Sequence, residues 1–383
     1  MDNSATKQFL AFEQGPIRPP SEASSLLIRV NRNCPWNKCT FCSIYKKNKF
    51  STRPIENVIQ EIDAVKHFVE LLQNGSRSAS FKKNLSDGEY QALVVARHWI
   101  AGGMESIFLQ DADGLVIKPD NLKKILRHLK SCFPWIKRIT SYTRSDSVAR
   151  IPDNELKEIA EAGLNRLHIG METASDVILS MVRKGVTKQI HIDAGLKVKN
   201  AGIQLSEYVL TGIGGREFSQ DHAIETADAL NQINPDFIRF RTLHLPDKVT
   251  LFVDGGDARY QWSPDLVLAK EVLTFLEHLD GITSRIKSDH SYNLFQEIDG
   301  VMPKDKERLL GILRTFINMK HEDRVLFQVG KRSGYFHHLS DMSIPGRLEQ
   351  VEDVCRQAGV NAENADERIH EIVQEKMRMG MPF

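Results

Sequence analysis

The sequence is poor in cysteine, with five in 383 residues. That is too few for a disulfide scaffold. It lacks any run of about 18 apolar residues, the length a helix needs to cross a bilayer, so no membrane span is expected. The polar start MDNSATKQFLAFEQGPIRPP has no apolar stretch of the kind secretory leaders carry. No leader is expected, and together with few thiols this predicts a cytoplasmic setting. An excess of one charge is missing too: 51 Lys+Arg face 50 Asp+Glu, a net +1. Nothing in that balance attracts a polyanion, so neither nucleic acid nor an anionic membrane is an expected partner. Low-complexity composition is absent, since hydrophobic residues make up 41% and charged residues 26%, ordinary globular usage. A chain of this length can bury a sizeable core. At roughly 100–200 residues per domain it holds two or three domains, or one barrel with appendages.

What is present is alternation. Pro16, Pro19 and Pro20 mark residues 1–25 as an irregular lead-in. Short apolar runs follow at 25–30, 106–110, 136–142, 166–171, 204–210 and 236–243. Between them, 56–72, 120–132, 154–163, 187–202 and 221–233 carry helical spacing. Gly163 and Gly202 sit where helix C-caps fall. Strand–helix alternation predicts an α/β fold with a parallel sheet and right-handed crossovers, either an open six-stranded sheet or a partial (β/α)6 barrel. The first crossover is long, and 74–91 reads as an exposed insertion before a second helix near 87–101. The alternation stops near residue 245. Residues 264–279, 304–317, 347–359 and 365–378 read as helices, so 246–383 is expected to form a mainly helical C-terminal extension.

Three of the five cysteines fall in one short segment, Cys34-Pro35-Trp36-Asn37-Lys38-Cys39-Thr40-Phe41-Cys42, after the first strand. In a β/α fold this is the strand edge where ligands bind. Clustered thiolates suit zinc or an iron–sulfur cluster. Zinc usually takes four ligands from paired elbows. No second CxxC occurs, Cys132 and Cys355 stand alone in helical patterns, and no histidine precedes His67. A distant histidine keeps zinc open. Three thiolates on a [4Fe–4S] cube would leave one iron free for a substrate or cofactor.

With this cysteine segment the sequence resembles the radical S-adenosylmethionine (SAM) superfamily. Its usual signature is C-x3-C-x2-C, with an aromatic before the third cysteine. Here the spacing is C-x4-C-x2-C and Phe41 holds the aromatic place. The resemblance spans roughly residues 26–245 and implies a partial-barrel core. Gly170-Met171-Glu172-Thr173-Ala174-Ser175-Asp176 is similar to the G-x-E-[ST]-[GA]-S-D segment of one core type. The Elongator catalytic subunit, the methylthiotransferases and the oxygen-independent coproporphyrinogen oxidases share that type.

The resemblance implies a [4Fe–4S] cluster on Cys34, Cys39 and Cys42. It places Phe41 on the adenine of SAM and Glu172 on the ribose hydroxyls. Lys184, or second Arg183, would meet the methionine carboxylate. Gly212 and Ile213, in a turn like the family's G-x-P-G-E but without its proline, would present backbone to the base. The usual G-G-E after the second strand is missing, which leaves Asp111 or Asp113 for the methionine amine. Arg239 and Arg241 alternate with Phe240 and so share a face. If that face is interior they need anions, either the SAM carboxylate or the substrate. Ser141, Tyr142 and Arg144 are expected to line the same cavity, and His290 is a candidate for substrate or proton handling.

The implied function is that of a radical SAM enzyme. It would cleave SAM reductively and abstract hydrogen from a small-molecule substrate that the sequence leaves unidentified. It would draw electrons from a ferredoxin- or flavodoxin-type donor. No auxiliary cluster is expected, and about 25 residues before the core are too few for a cobalamin domain. The rival readings are a non-catalytic iron–sulfur or zinc module, serving as sensor or electron carrier, and a zinc hydrolase.

Overall fold

The computed structural model describes residues 12–46, 48–75, 85–245, 251–252 and 260–378. The first eleven residues of the lead-in, residues 76–84 of the insertion and residues 246–250 at the start of the C-terminal region lie outside the described residues. The chain forms two compact units. One comprises residues 1–37, 44–169 and 197–204, the other 38–43, 170–196 and 205–383.

In the first unit, β1 (Leu26–Arg29) is followed by a small antiparallel ribbon of β2 (Asn31–Arg32) and β3 (Ser51–Thr52). Helices α1 (Ile55–Gln73) and α2 (Asp87–Ala101) precede β4 (Ser106–Gln110). Then come α3 (Pro119–Cys132), β5 (Arg138–Thr143), α4 (Ser145–Arg150), α5 (Asp153–Ala162) and β6 (Arg166–Glu172). β1 pairs with β4, β4 with β5 and β5 with β6, all parallel. α1 forms because Val58, Ile62, Val65 and Val69 recur at helical spacing and are fully buried. Ser86 and Glu89 close a capping box that starts α2. Trp99 is completely buried, its ring 4.9 Å from Phe133 and its Nε1 donating to the Ser106 carbonyl at 2.9 Å. Gly163 ends α5 at φ 127°, a conformation side-chain-bearing residues avoid.

The second unit holds α6 (Asp176–Met181), most of α7 (Lys188–Asn200), β7 (Gln204–Thr211), α8 (Ser219–Ile233) and β8 (Phe237–Thr242). After these come α9 (Asp265–His278), β9 (Arg285–Lys287), β10 (Gly300–Val301), α10 (Lys306–Asn318), α11 (His321–Arg332), α12 (Pro345–Ala358) and α13 (Ala365–Arg378). β7, β8 and β9 run parallel, and β10 is antiparallel to β9. The protein is thus a mostly parallel α/β structure with a helical C-terminal region. Two short strands, β9 and β10, lie within the mainly helical extension. They are three and two residues long, too short for any period to register. No helix among the described residues is long and apolar enough to cross a membrane.

Candidate functional site

The cysteine segment begins where β2 ends. Asn33 and Asn37 take positive φ of 69° and 48°, which turns the backbone twice around Cys34. The Asn37 N–H donates to Cys34 Sγ at 3.3 Å, and its side chain donates to the Tyr45 carbonyl at 2.6 Å. None of the five cysteines is in a disulfide.

The first unit also places the two aspartates. Arg29 Nε meets Asp111 Oδ2 at 2.6 Å, while buried Asp111 Oδ1 has no hydrogen-bond partner among the described residues. Asp111 sits at φ 92°, a rare conformation for a residue with a side chain. Asp113 is different. It is fully buried and accepts from Thr143 Oγ1 at 2.8 Å and Ser147 Oγ at 2.5 Å. Its carboxyl is already engaged, so only Asp111 keeps an open oxygen. Burial pushes Asp113 up to about 6, against those two hydrogen bonds. Because the folded state holds this proton more tightly than the unfolded chain, ionising Asp113 costs stability. That cost grows between the ordinary value of 3.8 and about 6. Asp113→Asn is expected to remove roughly 3 kcal/mol of this pH dependence, read by urea unfolding at pH 4 and pH 7.

Of the other residues expected here, Tyr142 lies edge-on to Phe108 at 5.2 Å and 5.6 Å from the His168 ring. Ser141 is buried and donates to the Leu109 carbonyl at 3.2 Å. Arg144 pairs with Asp146 at 2.8 Å and lies over the Trp36 ring at 5.4 Å.

The second unit brings together positions far apart in sequence. Thr40 anchors the cysteine segment: its N–H donates to the Val182 carbonyl at 3.0 Å and its hydroxyl to that of Leu251 at 2.6 Å. Phe41 then packs against a buried apolar cluster that includes Ile178, Val182, Leu210 and Ile213. Lys184 is buried, with Nζ 3.0 Å from Glu172 Oε1 and 5.6 Å from the Phe41 ring centroid. A Cβ at Gly170 would fall 2.3 Å from Glu172 Oε1 and 3.3 Å from Lys184 Nζ, so this pair needs glycine beneath it. Arg183, at φ 52°, is the strained residue of the turn, and Lys184 is the one that reaches the carboxylate.

Two acids here went unnoticed in the sequence. Glu207 is fully buried in β7, and neither carboxylate oxygen has a partner among the described residues. Burial pushes it well above the usual carboxylate range; Lys184 opposes the shift and Glu172 adds to it. A lone charge inside the apolar run QLSEYVL was the available signal. Glu271 on α9 is also buried and accepts from the Gly212 N–H and from Ser219 Oγ, both at 2.7 Å. Burial pushes it up to about 7. Its signal was a charge on the buried stripe of α9, three residues after Leu268 and four before Phe275. Tyr260 donates to the Gly212 carbonyl at 3.2 Å, so the glycine turn, with Gly212 at φ 84°, is gripped at both ends.

Arg239 and Arg241 do meet an anion, but the chain itself supplies it. Asp289 pairs with both, accepting from Arg241 at 2.9 Å and from Arg239 through a still shorter bond. Their charge is thus met from within the chain, by a contact that joins β8 to the Ser288-Asp289-His290 segment. Sequence cannot reveal a pairing across some fifty positions. Arg241 also lies over the Tyr208 ring at 4.6 Å, and its buried Nη2 has no partner among the described residues. His290 is pushed down to about 4 by burial and then by Arg241.

Comparison with known proteins agrees with the sequence signature. The sequence profile of the radical SAM superfamily matches residues 28–230. The tRNA-2-methylthio-N(6)-dimethylallyladenosine synthase of Marinomonas sp. (strain MWYL1) is 25% identical over 223 residues, 57% of this chain and 42% of that protein. The chain therefore spans less than half the length of this curated relative. Among solved structures, coproporphyrinogen III oxidase from Escherichia coli is similar with a TM-score of 0.43 and 17% identity, over 67% of this chain and 52% of that one. A radical SAM methyltransferase from Kitasatospora setae, with cobalamin and a [4Fe–4S] cluster bound, gives 0.46 and 12%, over 90% and 66%.

Proposed function

Because the chain belongs to the radical SAM superfamily, and is therefore an enzyme that uses a [4Fe–4S] cluster and SAM, we propose that Cys34, Cys39 and Cys42 hold that cluster. Three cysteines in nine residues, none in a disulfide, fit a cube that keeps one iron open. When bound, cluster and SAM together supply one-electron reductive cleavage of a sulfonium; this chain's residues bind, orient and exclude water.

The observation that carries the reading is the meeting of Phe41, Glu172, Lys184 and Ile213 in one unit. Phe41 and the backbone of Ile213 take the adenine. Glu172 accepts from the ribose hydroxyls, and Lys184, paired with Glu172, turns toward the methionine carboxylate. Glu207, buried without a donor among the described residues, is assigned to the same ligand as a further acceptor. From the first unit, Asp111 Oδ1 offers an acceptor for the methionine amine. Arg239 and Arg241, held by Asp289, face the substrate, a small molecule of unidentified structure, with His290 beside them as a neutral imidazole. Electrons come from a ferredoxin- or flavodoxin-type donor in a cytoplasmic setting.

The test is anaerobic reconstitution, dithionite reduction and assay of 5′-deoxyadenosine. Formation of that product is expected; a protein that binds four irons yet leaves SAM intact would favour the non-catalytic module instead. Glu172→Ala is expected to raise the KM for SAM by about ten- to a hundredfold, the worth of one or two hydrogen bonds to a carboxylate. An unchanged KM would remove Glu172 from the ribose.

A further inference from the structure

We propose that Asp63, His128 and Cys132 form a separate metal site, for a divalent ion of the zinc class, apart from Cys34, Cys39 and Cys42. All three lie in the first unit, Asp63 on α1 and the other two on α3. His128 and Cys132 are four residues apart, so one face of α3 presents both. His128 Nε2 lies 2.7 Å from Asp63 Oδ1 and 3.5 Å from Cys132 Sγ, and Sγ lies 3.8 Å from the same carboxylate oxygen.

A tetrahedral zinc ion takes nitrogen and oxygen at about 2.0 Å and sulfur at about 2.3 Å, which sets ligand–ligand edges of roughly 3.3 Å for N–O, 3.6 Å for N–S and 3.5 Å for S–O. The observed N–S edge of 3.5 Å already matches, the S–O edge of 3.8 Å is slightly long and the N–O edge of 2.7 Å is short. Both edges that involve the carboxylate adjust by turning Asp63, whose side chain is 55% exposed.

Hydrogen bonding alone leaves this arrangement poorly served. One ring nitrogen is approached by both the carboxylate and the thiol, and it can carry only one proton. As a donor to Asp63 it leaves the thiol only the same carboxylate oxygen to donate to, at a long 3.8 Å. As an acceptor from the thiol it faces the carboxylate lone pair to lone pair. A cation at the common centre satisfies all three. The donor set of imidazole, carboxylate and thiolate suits zinc and excludes the hard ions that shun sulfur. On binding, the thiol gives up its proton to solvent as the metal–sulfur bond forms. The exposed side of Asp63 leaves the fourth position to water. Such an ion ties α1 to α3.

The experiment uses untagged protein with its iron–sulfur cluster loaded. One equivalent of zinc chloride is added, excess is removed, and zinc K-edge absorption is recorded. The expected result is one zinc per chain with one sulfur at about 2.3 Å and nitrogen or oxygen neighbours at about 2.0 Å. Cys132→Ser should remove the sulfur shell. His128→Gln and Asp63→Asn should each weaken zinc binding by about tenfold or more, with iron content unchanged. Asp63 is exposed, so its variant tests the site without threatening the core. Zinc that washes out of the wild-type protein, a shell of three sulfurs, or a sulfur shell that survives Cys132→Ser would overturn the proposal.

Discussion

Serine at any one of Cys34, Cys39 or Cys42 is expected to strip the protein of its cluster and abolish 5′-deoxyadenosine formation. Serine keeps nearly the same volume, so the fold has little reason to change. What changes is the donor: a hydroxyl stays protonated at neutral pH and is hard where iron–sulfur chemistry needs a soft thiolate. Two remaining sulfurs hold a cube poorly, and the effect on activity is complete rather than graded. Cys355→Ser is the control. Cys355 is buried on α12, where burial pushes its thiol further above the ordinary value, so it is a packing residue and not a ligand. Iron content and the visible absorption of the reconstituted protein give the readout. A single variant of the trio that keeps four irons, or loss of the cluster in Cys355→Ser, would contradict the ligand assignment.

Much of the core was legible because its elements carry long, clean periods. The stripe of α1 and the apolar runs of β4 and β7 sit within one or two residues of their expected bounds. The elements that escaped were short or charged. Helices α4 and α6 are six residues each, less than two turns, so no stripe can develop. In α11, buried Gln328, Lys331 and Arg332 replace apolar positions. Arg332 is balanced by Asp265 at 2.8 Å, a partner sixty-seven positions away. The site divides in the same way. Phe41, Glu172 and Gly212 announce themselves through motif spacing. Glu207, Glu271 and Asp289 are single acids whose meaning depends on what the fold sets beside them.

Glu271→Ala is expected to lower stability by about 2–4 kcal/mol and to weaken SAM binding by at least about tenfold, while Glu271→Gln spares most of both. Alanine leaves the Gly212 N–H and the Ser219 hydroxyl buried without their acceptor, and it opens a cavity beneath the turn. The turn at Gly212, already at φ 84°, then loses the anchor on its N–H and keeps the bonds that Tyr260 and the Gly215 N–H make to its carbonyl. The backbone of Ile213 loses its fixed position, so KM for SAM should rise before kcat falls. Glutamine keeps an acceptor in place but cannot ionise. Burial raises Glu271 from 4.5 to about 7, so the folded state holds its proton more tightly and wild-type stability falls as pH rises across that window. His222, 3.7 Å from the same carboxylate, works the other way: burial lowers it from 6.5 to about 3, so its share of stability is lost as pH falls across that range. In Glu271→Gln only the first effect disappears, and the variant should gain about 3 kcal/mol on wild type between pH 4.5 and pH 7. Urea unfolding at those two pH values, beside the KM for SAM, separates a carboxylate that positions the turn from one that merely fills space. A parallel pH response of wild type and Glu271→Gln, with KM unmoved in Glu271→Ala, would assign Glu271 to packing alone.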